Sequence, residues 1–103
     1  MLLNEIESYW TNRAEGYSKI NKHELAGVQR MLWGNLIEAN MPEYLKNVKN
    51  KKEINVLDIG TGPGFFSILL AERGYNVSAV DYTEEMLVKA KDNAGIFKDE
   101  IDF

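Results

Sequence analysis

The sequence predicts an α/β fold, in which a helical arm precedes a β-α-β-α run built on a parallel sheet. Three observations carry this reading. Residues 54–59, INVLDI, form a short, β-branched apolar run of the kind that makes a buried parallel strand. The next five residues, Gly60-Thr61-Gly62-Pro63-Gly64, are too rich in glycine and proline to continue a strand or a helix. A helical apolar pattern then runs from Phe65 to Ala71 and is closed by Arg73 and Gly74, a last-turn cation followed by glycine. Strand, glycine turn and helix open a βαβ unit, and sheets of that kind bind ligands at the turn.

Each residue type in the turn has a physical use. Glycines permit positive φ and let a ligand approach the backbone without meeting a Cβ. Free N–H groups at the helix start, with the macrodipole behind them, favour a negatively charged ligand group. Asp58 is a carboxylate at the end of an otherwise apolar strand, two residues before the first glycine. Left unpaired and buried it would be costly, so it is expected to accept from glycine-loop amides, from a ligand, or from both.

Ahead of the turn, residues 1–19 read as an amphipathic helix. Leu2, Ile6, Tyr9, Trp10, Arg13 and Tyr17 recur at three- and four-residue spacing. Asn21 and Glu24 form a capping-box pair for a second helix. Its core stripe is Leu25, Val28, Leu32, Leu36 and Ala39, widened by Met31 and Trp33. Pro42 ends that helix, and 42–48 has room for one more short turn. Residues 46–52 hold four lysines and read as a solvated connector rather than a phosphate patch. The organisational boundary falls near residue 50, dividing a helical arm or cap at 1–50 from the first half of a cofactor-binding domain at 51–103.

Beyond Gly74, Val77, Ala79 and Val80 make a second strand with Asp81 at its carboxyl end. Asp81 lies seventeen residues past Gly64, close to where βαβ cofactor sites place an acid for ribose hydroxyls. A position at a strand end suggests that Asp81 matters little to fold stability. Thr83 is a fair N-cap for a helix over 84–94, which Gly95 ends. Ile96-Phe97 and 101–103 then lead towards a third strand.

Val56-Leu57-Asp58-Ile59-Gly60-Thr61-Gly62-Pro63-Gly64 resembles the first motif, (V/L)LDxGxGxG, of class I S-adenosylmethionine-dependent methyltransferases. Two further segments are similar to that family: 9–17 to its W-x-x-R-A-x-x-Y lead-in, and 81–87 to its D-x-S/T-x-x-M-L segment. The resemblance implies a Rossmann-like fold and S-adenosylmethionine as cofactor. It implies cofactor contacts by Asp58, Gly60, Thr61, Gly62, Gly64 and Asp81. It places Tyr82 and Met86 beside the adenine and Tyr17 in the pocket wall, although plain helix packing is the other reading of Trp10 and Tyr17. It leans towards a small-molecule acceptor, as in quinone-biosynthesis-type enzymes. Family members carry more strands and longer chains, so the sequence is expected to be the N-terminal part of such a domain, truncated near the third strand. Catalytic residues of the family lie beyond this region and none is named here. The competing readings are a nicotinamide or flavin oxidoreductase and a non-catalytic interaction module. Phe65 stands where a GxGxxG loop counted from Gly60 needs a small residue; counted from Gly62, GPGFFS is a near miss that ends in Ser67 and leaves Asp58 unexplained.

Composition narrows the remaining classes. With 45% hydrophobic and 27% charged residues in 103, the chain is ordinary globular material with a modest core. A net charge of −4 offers no basic face for nucleic acid, and none is expected as a partner. The absence of cysteine removes disulfides and thiolate metal sites, and the lone His23 reads as an exposed helix-start residue. No metal site, no signal peptide and no membrane partner are expected, which makes a cytoplasmic protein the default. One consequence of the truncated reading is physical. The strand over 54–59 is left with a bare edge, and self-association through it is expected.

Overall fold

The computed structural model describes residues 2–103; Met1 and the side chains of Asn21 and Glu24 lie outside the described residues. Strands β1 (Asn55–Ile59) and β2 (Asn76–Val80) pair in parallel, with Val56 opposite Val77 and Asp58 opposite Ala79. A two-residue strand β3 (Ile101–Asp102) pairs in parallel on the other side of β2. The order β1-β2-β3 makes β2 central. This is the predicted Rossmann-like α/β architecture, with a third strand present though short.

The sheet is covered on one face. Val77, Ala79 and Ile101 are buried in one cluster with Phe65, Ile68 and Leu69 of helix α4 (Phe65–Glu72). Alternate residues point the other way, and there Leu57 is 60% and Ile59 76% exposed, beside the exposed Val80. The buried-strand reading of 54–59 therefore does not hold for β1, whose residues alternate exposed and half-buried; only Ile54, just before the strand starts at Asn55, is buried. Helix α4 ends as expected, with the Gly74 amide donating to Ala71 O and the Tyr75 amide to Leu70 O. These two bonds, with Tyr75 and Leu70 both in the core, form a Schellman cap.

The arm departs from the sequence reading. Helix α1 spans Leu2–Ala26 without a break, so no helix begins at Asn21. The chain bends at Gly27 and Val28, and α2 spans Gln29–Ala39. His23 accordingly lies exposed in a last turn, not a first one. Good helix formers surround Asn21, and a weak capping signal does not interrupt a continuous ladder. The stripe expected to be core on α2 is largely exposed: Val28 59%, Leu32 52% and Leu36 53%. The residues that α2 turns inward are Gly34, Ile37 and Glu38, on the opposite side of the helix. A short helix α3 (Glu43–Lys46) follows Pro42 as anticipated. Three of the connector lysines are ion-paired, Lys46 to Glu43, Lys51 to Glu38 and Lys52 to Glu100. Helix α5 (Glu84–Ala94) returns from β2 and ends at Gly95, after which a 3₁₀ segment, not an extended lead-in, reaches β3. No described helix is long and apolar enough to cross a membrane.

Arg73 explains the inward choice of α2. It leaves its own helix end and donates to Glu38 Oε1 at 2.6 Å, to Met31 O at 3.2 Å and to Asn35 Oδ1 at 3.2 Å. Gly34 makes room, since a Cβ there would collide with the guanidinium. The Arg73 hydrogen bond, helped by the charge of Lys51 and opposed by partial burial, holds the Glu38 carboxyl below the usual carboxylate range. Burial, with Glu38 nearby, pushes the Tyr75 phenol up. A folded-state pKa below the unfolded value of about 4.3 means stability present at neutral pH and lost as pH falls through the folded pKa. Glu38→Gln is therefore expected to cost about 1 kcal/mol at pH 7, because the pair is only partly shielded from water. The gap to wild type should close in strong acid; paired unfolding curves by circular dichroism at several pH values check it.

Candidate cofactor site

The glycine loop is held from two sides, and both involve the ends of the strands. From below, Asp58 Oδ2 accepts from Thr61 Oγ1 at 2.8 Å and from Ser67 Oγ at 2.7 Å, with the two hydroxyls 2.9 Å apart. Ser67 is fully buried and Thr61 nearly so. Asp58 thus meets hydroxyls of the loop and of α4, not the loop amides anticipated from sequence. From the side, the amides of Gly60 and Thr61 both donate to Val80 O, at 2.9 and 3.0 Å. The Gly62 amide donates to Asp81 Oδ2 at 2.8 Å.

Those amides are consumed within the protein, as is that of Gly64, which donates to Thr61 O. They precede α4, whose own first-turn amides belong to Phe65, Phe66 and Ser67. The loop offers its surface instead. Gly62 sits at φ +56° with nothing within 4 Å of where a Cβ would project, so its bare face is open to a close ligand. Gly64, at φ +94°, has a different use. A Cβ there would come within 3.1 Å of Ala90 Cβ and 3.3 Å of Ile68 Cδ1, so glycine lets the loop press on α5.

Asp81 joins the loop to the next helix. While Oδ2 holds Gly62, Oδ1 accepts from Thr83 N at 3.0 Å and Thr83 Oγ1 at 3.1 Å. Thr83 occupies the N-cap position of α5, but its hydroxyl serves Asp81 and not its own helix. A carboxylate has about four acceptor positions, and three are used. One remains, on Oδ2. Asp81 is consequently a structural organiser as well as a candidate ligand, contrary to the expectation that it matters little to the fold.

Beside the loop lies a cavity of about 740 Å³. Gly60, Thr61, Gly62, Asp81, Tyr82 and Met86 line it on the sheet side, and Tyr17 lines it from α1. Of the residues singled out from sequence, only Asp58 and Gly64 stand outside the wall, one beneath the loop and one against α5. Tyr82 is 58% exposed whereas Met86 is buried, an open flat ring near a fixed thioether. Trp10 also lines the cavity, 5.4 Å centroid to centroid from Tyr17. Arg13 lies 5.3 and 5.5 Å from the rings of Tyr9 and Tyr17.

Sequence reasoning missed four contributors. Trp33 and Phe66 line the cavity edge to face, 5.5 Å apart, although Trp33 read as core. Ser67 carried a signal, a hydroxyl in an otherwise apolar helix, that could have matched it to Asp58. Asn93 donates to the Pro63 carbonyl at 3.0 Å, and nothing in its sequence context marks it.

A parallel sheet with a glycine loop over the carboxyl ends of its strands defines a Rossmann-like α/β protein. Residues 50–98 match the family model of a methyltransferase domain. A glycine/sarcosine N-methyltransferase of Aphanothece halophytica is 49% identical over 51 residues, covering 50% of this chain and 19% of that protein. Its namesake from Halorhodospira halochloris is 33% identical over 61 residues, covering 59% and 23%. The putative methyltransferase YqeM of Bacillus subtilis is 32% identical over 73 residues, covering 71% and 26%. No solved structure matches significantly. The chain spans about a quarter or less of the length of these relatives. The family match covers residues 50–98, and the resemblance of the 56–64 motif to class I methyltransferases is borne out.

The two glycines are expected to fail differently. An L-residue in the left-handed region costs about 1–2 kcal/mol, a penalty that Gly62→Ala and Gly64→Ala share. Gly64→Ala adds the clash with Ala90 and should melt at a clearly lower temperature. Gly62→Ala should keep most stability while its methyl narrows the cavity. Differential scanning calorimetry on both variants checks the order.

Proposed function

We propose that this chain carries the S-adenosylmethionine-binding part of an enzyme that transfers a methyl group to a small molecule. The observation that carries the reading is Asp81: one carboxylate of the cavity lining fixes the loop, starts α5 and keeps an acceptor position on Oδ2. Cis hydroxyls of a ribose are suited to that position. The open face of Gly62 gives room for the adjoining part of the cofactor, and Tyr82 and Met86 supply the flat and polarisable surfaces that a purine needs. Tyr17, carried on α1, closes the opposite side.

When bound, the cofactor supplies an activated methyl on a sulfonium leaving group. The chain's own residues bind and orient it. Asp58 contributes by holding Thr61 and Ser67, which fixes the loop's height above the sheet. A small acceptor is supported by the two relatives named for glycine and sarcosine. A nicotinamide or flavin enzyme is the second reading, and the methyltransferase matches weigh against it.

Isothermal titration with S-adenosylhomocysteine should give saturable binding, and NAD(H) should give none. The reverse result would sink the assignment. Asp81→Ala is expected to weaken the ligand by about 1.5–3 kcal/mol, and to lower thermal stability as well, since Gly62 and Thr83 lose their acceptor.

We further propose that these 103 residues, taken alone, self-associate through β1. Its outer edge has no partner strand among the described residues, and it carries the exposed Leu57 and Ile59. Such an edge is a template for another chain. Light scattering should report a mass above 11.8 kDa; a monodisperse monomer at micromolar concentration would refute this.

A further inference from the structure

Asn93 sits near the end of α5, outside every motif, and bonds to both the glycine loop and α1. Its Nδ2 donates to Pro63 O at 3.0 Å and to Ser18 Oγ at 3.2 Å, and its Oδ1 lies 3.4 Å from the same hydroxyl. The amide orientation follows from chemistry, since a flipped side chain would set its oxygen against the Pro63 carbonyl. Ser18 is 4% exposed, on the α1 face that also buries Ala14. Pro63 stands between Gly62 and Gly64 in the tight turn closed by the Gly64 N to Thr61 O bond.

We propose that Asn93 is a positioning residue that couples the arm to the glycine loop. It fixes Pro63, and with it the face of Gly62, relative to α1, which carries Tyr17 next to Ser18. One side chain thus sets the distance between the two walls that enclose the ligand. Both donors of a single planar amide are used, so loop and arm cannot shift independently without breaking one bond. The adjacent Lys22–Asp92 pair is exposed at 3.4 Å and adds little by comparison. The ligand role rests on the function proposed above; the mechanical coupling does not.

Asn93→Asp keeps size and shape, can still accept from Ser18, and cannot donate to Pro63. Amide hydrogen exchange without ligand should then quicken at residues 60–66 and in the α1 segment around Ser18 together. Ser18→Ala should quicken exchange in α1 while leaving the loop near wild type. With S-adenosylhomocysteine as probe, Asn93→Asp should bind about tenfold more weakly per folded molecule, and the ligand should no longer slow exchange in α1. Loop exchange unchanged in Asn93→Asp, or affinity within twofold of wild type where wild type binds, overturns the proposal. If wild type itself does not bind the probe, the proposed function fails, while the exchange comparison still decides the coupling.

Discussion

The carboxyl end of β2 is the point on which the loop, the start of α5 and the cavity all depend. Val80 O takes two loop amides and the Asp81 carboxylate takes a third, so three consecutive N–H groups are referred to two residues. Backbone donors this close to a buried sheet must find partners, and a glycine loop has few side chains to provide them. The neighbouring strand end provides them instead. That is why the central position belongs to β2, and why β1 can stand at an edge without the loop losing its form. The same carboxylate then recruits Thr83, so the two ends of the site are set by one group. A carboxylate can do this because it accepts in several directions at once.

The division of labour between the two aspartates follows from depth. Asp58 is directed at Thr61 and Ser67 under the loop, where water is excluded and hydroxyls are the available donors. Asp81 is directed along the loop's rim, where backbone amides and the cavity are both in reach. Sequence assigned the loop amides to Asp58, whereas the loop amide of Gly62 goes to Asp81. What separates the two acids is the register, which sets Asp58 opposite Ala79 and carries Asp81 one residue beyond the last pair, Ile59 with Val80.

The β-α-β unit was legible because its signals are local and mutually consistent: an apolar run, a glycine turn, a helical period, and Arg73-Gly74 at the end. The arm was less so. Val28, Leu32 and Leu36 keep a helical period as clean as a core stripe, and hydrophobicity ranks them above Gly34 and Glu38. Yet Arg73 decides which face turns inward, because a guanidinium this close needs carboxylate and carbonyl partners more than an aliphatic stripe needs cover. That partner lies more than thirty residues away in sequence, and periodicity has no access to it. Asn93 was invisible for the same reason, since its partners are in the loop and in α1.

Helix α1 shows how an arm can bound a cavity without filling it. Large and small residues share one side of the helix, with Ala14 one turn from both Trp10 and Tyr17. Ala14 and Ser18 are buried, so small side chains let α1 approach α5 closely. Leu3, Ile6, Trp10 and Tyr17 are carried on the face that lines the cavity. Their exposure, 57% for Leu3 and 37% for Trp10, is the consequence of being held at a distance that the small residues and the Asn93 amide fix. Had the large residues faced α5, the arm would have been pushed away and the loop left open. With the small ones there, the apolar surface that remains uncovered is the surface that a bound molecule would cover.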